Sequence, residues 1–192
     1  MIYYTKYQLD NGLKLIVHKD NSTPFVVMNL LYDVGSKDEN PKKTGFAHLF
    51  EHLMFGGSIN VPVFDEPIEL AGGINNAFTN TDITNYYIVI PKDNIEVAFW
   101  VESDRMLGLV FSEERLNVQR KVVVEEFKQS YLNQPYGDVY LLIRDLVYKV
   151  HPYRWATIGK DISHIQKAKL SDVKNFFKKH YNPSNAILSV VG

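Results

Sequence analysis

The chain contains the stretch Phe46-Ala47-His48-Leu49-Phe50-Glu51-His52-Leu53-Met54, which is followed by Gly56-Gly57. Its apolar residues recur at the spacing of one helix face, and a glycine pair is typical of a helix end. Because residues four apart stack on one side of a helix, the imidazoles of His48 and His52 can converge on one metal ion. Glu51 lies on the flank of the same face, where a carboxylate can act as general base on a water bound to that ion. The alternative is an amphipathic helix whose histidines are ordinary core or surface residues.

A catalytic zinc site typically uses three protein ligands and a water, so two histidines need one more partner. The chain has no cysteine, which leaves histidine and carboxylate as the strong metal ligands. Glu125 and Glu126 are the candidates, within a helical pattern that extends from Glu113 to Leu132. The apolar stripe of this pattern consists of Leu116, Val123, Phe127 and Tyr131. Glu126 adjoins the stripe whereas Glu125 points to the opposite side, so periodicity favours Glu126, although either could be an ordinary surface charge.

Length and composition restrict the class of protein further. A chain of 192 residues with 45% hydrophobic and 22% charged residues can form one substantial core, so we expect a single domain over residues 1–192. Its 21 basic and 22 acidic residues give a net charge of -1, which argues against nucleic-acid and membrane partners. No apolar run is long enough to span a bilayer, and the start of the chain lacks the pattern of a secretion leader. These features favour a cytoplasmic protein.

Secondary structure outside the histidine helix follows from runs of β-branched and aromatic residues and from helical periodicity. Strands are predicted at Tyr3–Leu9, Leu13–His18, Phe25–Tyr32, Ile74–Phe78, Ile83–Ile90 and Ala186–Val191. Helices are predicted at Val61–Ala71, Ile95–Leu107, Glu113–Leu132 and Asp138–Val150, with a last helix capped by Ser171 and ending near Tyr181. This order predicts an α+β fold, a mostly antiparallel sheet with helices packed on one face.

Three motifs in this order resemble those of the pitrilysin/insulinase family of inverzincin peptidases. They are the inverted motif His48 to His52, the segment Gly72-Gly73-Ile74-Asn75-Asn76-Ala77-Phe78-Thr79, and the segment Arg120-Lys121-Val122-Val123-Val124-Glu125-Glu126. Further segments at Glu102–Met106, Asn133–Gly137 and His151–Gly159 resemble the bacterial branch of that family. The resemblance covers nearly the whole chain, and it implies the metallopeptidase domain of the pitrilysin/mitochondrial-processing-peptidase-like fold.

The resemblance also implies roles for individual residues. It makes Glu126 the third zinc ligand beside His48 and His52. It implies an edge strand that pairs with the substrate backbone, formed by Asn76, Ala77, Phe78 and Thr79. The alternative for these four residues is an ordinary strand. Many members have a supporting glutamate where this chain has Gln119, whose amide can accept a hydrogen bond in an outer shell but cannot act as acid or base.

The function implied is zinc-dependent endopeptidase activity on peptides or extended unfolded segments, with a metal-activated water and Glu51 as general base. The family encloses its substrate in a chamber between related domains, so we expect a second related domain or a partner subunit. The chain is then the first domain of a longer protein and weakly active or inactive alone. A non-catalytic structural or binding subunit is the main alternative. A structural zinc site is another, but it would need a fourth protein ligand and leave Glu51 without a role.

Overall fold

The computed structural model describes residues 2–192, which form one six-stranded sheet and seven α-helices. The strands are β1 (Thr5–Gln8), β2 (Lys14–His18), β3 (Phe25–Tyr32), β4 (Ile74–Thr79), β5 (Thr84–Pro91) and β6 (Ala186–Val191). Their order in the sheet is β1-β2-β6-β3-β5-β4. Each neighbouring pair is antiparallel except β2 and β6, which are parallel. The last strand of the chain therefore lies inside the sheet, and β4 lies at its edge.

The helices are α1 (Phe46–Leu53), α2 (Asp65–Leu70), α3 (Ile95–Leu107), α4 (Glu113–Phe127), α5 (Val139–Val147), α6 (Ile162–Gln166) and α7 (Leu170–His180). A short π-helix, Lys128–Leu132, continues directly from α4. The core lies between the helices and one face of the sheet. In β3, for example, Val26, Met28, Leu30 and Tyr32 are buried, whereas the alternate residues Phe25 and Val27 are exposed. This two-residue alternation shows that one sheet face is covered and the other is open.

Exposed apolar side chains occur on the open sheet face and on α5, among other places in residues 2–192. On the open sheet face, the exposed apolar side chains are Phe25, Val27, Ile74, Phe78 and Val191. Helix α5 has no buried residue, and its exposed apolar side chains recur at helical spacing along Val139, Leu142, Ile143, Leu146 and Val147. None of the helices in the described range is long and apolar enough to cross a membrane.

The predicted α+β class, with a mostly antiparallel sheet and helices on one face, is confirmed. The helix predicted over Val61–Ala71 was wrong at its start, because α2 begins at Asp65. Residues before it form a loop whose Asn60 backbone N–H donates to the carboxylate of Asp104 in α3. Ser171 does not cap the last helix either. That helix begins one residue earlier, and the Asp172 carboxylate accepts from the backbone N–H of Lys169.

Candidate metal centre

Helix α1 carries the two histidines on the side that its apolar residues leave free. Phe46, Leu49, Phe50 and Leu53 are buried in the core. His48 and His52 are four residues apart, and their rings lie edge to face with centroids 4.8 Å apart. The His48 side chain is 13% exposed and that of His52 is 25% exposed. Both imidazoles are therefore anchored by the helix while one side of each remains accessible.

Helix α4 brings one of the two candidate glutamates to these rings. Ser112 caps the helix through its hydroxyl, which accepts from the backbone N–H of Arg115. Near the other end, Glu126 Oε1 lies 3.5 Å from His48 Nε2, and Oε2 lies 3.3 Å from His52 Nε2. Glu125 points away, is 66% exposed, and forms an ion pair of 2.6 Å with Lys128. Of the two glutamates considered from the sequence, the fold thus brings Glu126 to the histidines.

The donor atoms fit a zinc ion. In residues 2–192, His48, His52 and Glu126 form a group whose ligating atoms all lie within 4.8 Å of one another. Two ligands of a tetrahedral zinc ion lie about 3.4 Å apart when each bond is about 2.0–2.1 Å, which is the spacing between the carboxylate and each imidazole. Two imidazole nitrogens and one carboxylate also form the ligand set of a known class of catalytic zinc site, with a fourth position open.

The protonation states of the group suit metal binding as well. Burial lowers the pKa of His48, so its imidazole is neutral and offers a lone pair at neutral pH. A hydrogen bond from His52 lowers the pKa of Glu126, which keeps that carboxylate ionised. A metal ligand must be deprotonated at the atom that binds, so zinc would replace the proton that His52 donates to Glu126. The Nδ1 atom of His48 is buried without a hydrogen-bond partner among the described residues.

Glu51 and Gln119 lie beside this group rather than in it. Glu51 is half-buried in α1, next to His52, and is not part of the set of mutually close ligand atoms in residues 2–192. Gln119 is half-buried two turns before Glu126 and lines a cavity with Leu53 and Gly56. It does not satisfy the Nδ1 atom of His48, so its outer-shell role stays a prediction.

The four residues predicted to bind substrate lie on β4, at the edge of the sheet. Strand β4 pairs with β5 on one side, which leaves the other side of its backbone unpaired in the described chain. Ala77 and Thr79 face the helices, and Asn76 and Phe78 face the open side of the sheet. Helix α1 packs against this strand. The role predicted for Asn76, Ala77, Phe78 and Thr79 requires a free strand edge. That a peptide binds to this edge remains a prediction.

Sequence reasoning missed Glu39, a buried carboxyl that contacts the start of α1. Its two carboxyl oxygens accept from the backbone N–H groups of Gly45 and Ala47. The nearer donor lies six positions after Glu39 in the chain, beyond the spacing of ordinary helix caps. An acidic residue upstream of a helix that begins after a glycine is the pattern that could have pointed to it.

The model of the family described as "Insulinase (Peptidase family M16)" matches residues 14–144. The chain belongs to this family. "Zinc protease PqqE" of Helicobacter pylori (strain ATCC 700392 / 26695) is 36% identical over 96% of this chain and 42% of the relative. The crystal structure of a protease from Helicobacter pylori has a TM-score of 0.94 and 34% identity, covering 100% of this chain and 46% of that protein.

A crystallised inactive domain of peptidase family M16 from Pseudomonas fluorescens has the same fold, with a TM-score of 0.89 and 19% identity. The similarity extends over 100% of this chain and 47% of the Pseudomonas protein. The fold is therefore shared by at least one domain described as inactive. The chain spans less than half the length of each of these proteins.

Proposed function

We propose that the chain is the zinc-bearing part of a metalloendopeptidase that hydrolyses peptides or extended unfolded segments. The observation that carries this proposal is the convergence of His48, His52 and Glu126 through atoms 3.3–3.5 Å apart. Its relatives include proteins named zinc proteases, which supports zinc as the metal. A structural zinc site would require a fourth protein ligand, and the group has three members within residues 2–192.

Each residue of the proposed site has a role that follows from its position. His48, His52 and Glu126 would hold the ion, and the chemistry that zinc supplies there is a water of lowered pKa and a polarised substrate carbonyl. Glu51 lies on the flank of the same helix face, so its carboxylate takes the proton from the attacking water. The same carboxyl then gives that proton to the departing amine. The unpaired edge of β4 holds the substrate as an added strand beside α1.

A second related domain or partner subunit completes this proposal. The chain spans 42% of the Helicobacter relative, so most of that protein lies outside the region of similarity. The exposed apolar residues of α5 and of the open sheet face are the kind of surface that a neighbouring domain covers. A closed chamber would position the substrate and exclude water from the metal centre, which an isolated edge strand does not achieve.

The replacement Glu51→Gln in the full-length protein tests the proposed mechanism. Glutamine keeps the shape and can hydrogen-bond a water, but it cannot take a proton, so peptide hydrolysis should fall by about 10²- to 10⁴-fold while zinc is retained. Zinc content and cleavage of an unstructured peptide are measured on the same preparations. Glu125→Gln is the matched control, because it makes the same chemical change on the exposed side of α4.

Full activity in Glu51→Gln would remove this residue from the mechanism, and loss of zinc together with activity would make it a ligand. The competing function, a non-catalytic subunit, has support from the inactive Pseudomonas relative. Wild-type full-length protein that binds zinc but cleaves none of a diverse set of peptides would favour that alternative.

A further inference from the structure

Helix α1 begins without a capping side chain of its own. Its N-cap residue is Gly45, whose backbone is left-handed with φ 87° and ψ 5°. A Cβ atom at this position would lie 2.6 Å from the carbonyl oxygen of Ile158 and 2.9 Å from Cδ1 of Ile165. The packing therefore excludes Ser, Thr, Asp and Asn, the usual N-cap residues, and the left-handed backbone further disfavours Ser and Thr. The free N–H groups of the first turn need acceptors from elsewhere in the chain.

Glu39 provides those acceptors from six and eight residues upstream. The backbone N–H of Gly45 donates to Oε2 at 2.9 Å, and that of Ala47 donates to Oε1 at 2.8 Å. Glu39 is only 6% exposed, and burial raises the pKa of its carboxyl to about 8. Burying a carboxyl group is unfavourable unless its oxygens are hydrogen-bonded. The two helix N–H groups supply that compensation, so the cap and the buried carboxyl depend on each other.

The position of Glu39 is itself fixed by the segment that precedes it. Residues Ser36–Asp38 form a single 3₁₀ turn. At the end of this turn, the Glu39 backbone N–H donates to the backbone carbonyl of Ser36. The same Ser36 carbonyl accepts from the indole Nε1 of Trp155 at 2.7 Å. The turn is also closed by the Asp38 carboxylate, which accepts from the backbone N–H of Gly35 at 3.0 Å. Glu39 is thus presented to α1 by an anchored turn rather than by a free loop.

We propose that Glu39 is a positioning residue of the metal centre, a remote N-cap that fixes the first turn of α1 and with it the imidazole of His48. The inference rests on the proposed zinc site. His48 is the third residue of α1 and directly follows Ala47, one of the two amides that Glu39 binds. Fraying of the first turn would displace His48 from Glu126, whereas His52 lies in the last turn. Loss of the cap should therefore disturb one ligand of the three.

The test compares Glu39→Ala, Glu39→Gln and the wild-type full chain in zinc and cobalt binding. Zinc affinity is measured by competition with a chelator, and the visible absorption of bound Co²⁺ reports the geometry of its ligands. In Glu39→Ala we expect zinc affinity to fall by about 2- to 30-fold, the range that corresponds to loss of an N-cap, with an altered cobalt spectrum. Glu39→Gln keeps one oxygen acceptor but turns an NH₂ donor toward the other N–H group, so its zinc affinity and cobalt spectrum should lie between those of Glu39→Ala and the wild type.

A matched control separates positioning from a general loss of stability. Ile68→Val removes one methyl group from a fully buried residue of α2, which carries none of the three ligands, and should lower the stability of the fold without altering a cap of α1. Its zinc affinity and cobalt spectrum should match the wild type. Wild-type metal binding in Glu39→Ala, or an equal loss in Ile68→Val, would overturn the proposal.

Amide hydrogen exchange distinguishes failure of the positioning role of Glu39 from failure of the proposed zinc site. Without any metal, exchange at Gly45 and Ala47 should be about 10-fold or more faster in Glu39→Ala than in the wild type. If the wild type takes up neither zinc nor cobalt, the zinc site is wrong and Glu39 has no ligand to position. If the wild type binds metal but exchange at Gly45 and Ala47 is the same in Glu39→Ala as in the wild type, Glu39 is not a cap of α1, and the proposed zinc site is unaffected.

Discussion

Glu125 and Glu126 are neighbours in the chain with opposite surroundings, so they offer a direct comparison at the scale of the residue. The Glu126 carboxylate lies within 3.5 Å of both imidazoles, whereas that of Glu125 pairs with Lys128. We expect Glu126→Ala to weaken zinc binding by more than about 100-fold, since even outer-shell changes cost about 10- to 100-fold. Glu125→Ala should keep the metal. Metal analysis of both variants shows which glutamate is the third ligand. Loss of zinc only from Glu125→Ala would show that Glu126 is the wrong carboxylate.

A second prediction at this scale concerns the pH dependence of folding. Burial raises the pKa of Glu39 from 4.5 to about 8, so the folded chain holds this proton more tightly than the unfolded chain. The resulting stabilisation is complete below the unfolded pKa and is lost as pH rises through about 8. The free energy of unfolding should therefore fall between about pH 5 and pH 8 more steeply in the wild type than in Glu39→Gln. Urea denaturation at several pH values measures both slopes, and equal slopes would contradict the prediction.

The central residues of the site could be predicted from sequence because their geometry is local. Four-residue spacing on one helix places His48 beside His52 whatever the rest of the fold does. The prediction of Glu126 depends on its position beside an apolar stripe, a weaker argument that the family resemblance reinforces. Glu39 could not be found in this way, because its contact with α1 depends on a turn and on the packing of Gly45 against Ile158.

At the scale of elements, the strands and long helices followed from periodicity, but several boundaries and pairings did not. The short helix α6 spans five residues, too few to show a helical repeat. The predicted helix Glu113–Leu132 changes to π-helical hydrogen bonding after Phe127, a change of backbone that residue patterns do not record. The parallel pairing of β2 with β6 joins residues distant in the chain, so no local pattern predicts it.

Strand β4 gives a prediction that belongs to the element rather than to any one side chain. If its free edge binds substrate as an added strand, alternate backbone amides of the peptide donate to it. N-methylation of a peptide substrate, one residue at a time, should then raise KM at every second position near the cleaved bond. The assay uses the full-length protein. Uniform effects along the peptide, or none, would show that β4 does not pair with substrate.

At the scale of the whole molecule, the exposed apolar surfaces of α5 and of the open sheet face lead to a prediction about the isolated chain. We expect the 192-residue chain to be a poor peptidase even when it holds zinc, because substrate positioning and water exclusion require a closed chamber. Its kcat/KM for an unstructured peptide should be at least about 100-fold below that of the full-length protein, a loss that misplacement of the reacting groups alone can produce. Steady-state cleavage at equal zinc content measures the ratio. Equal rates would show that no further domain or subunit is needed.

The parallel pairing of β6 with β2 has a consequence for the order of folding. Because β6 lies between β2 and β3, the sheet has no continuous hydrogen-bonded path across its centre until residues 186–191 are in place. During synthesis, the hairpin of β1 and β2 and the group of β3, β5 and β4 emerge early as two separate pieces, each with an open edge. Such edges attract other strands, so this part of the nascent chain is exposed to misassociation until β6 leaves the ribosome. The contact that joins the two halves is also among the most distant in sequence, which makes it the slow step expected for this topology.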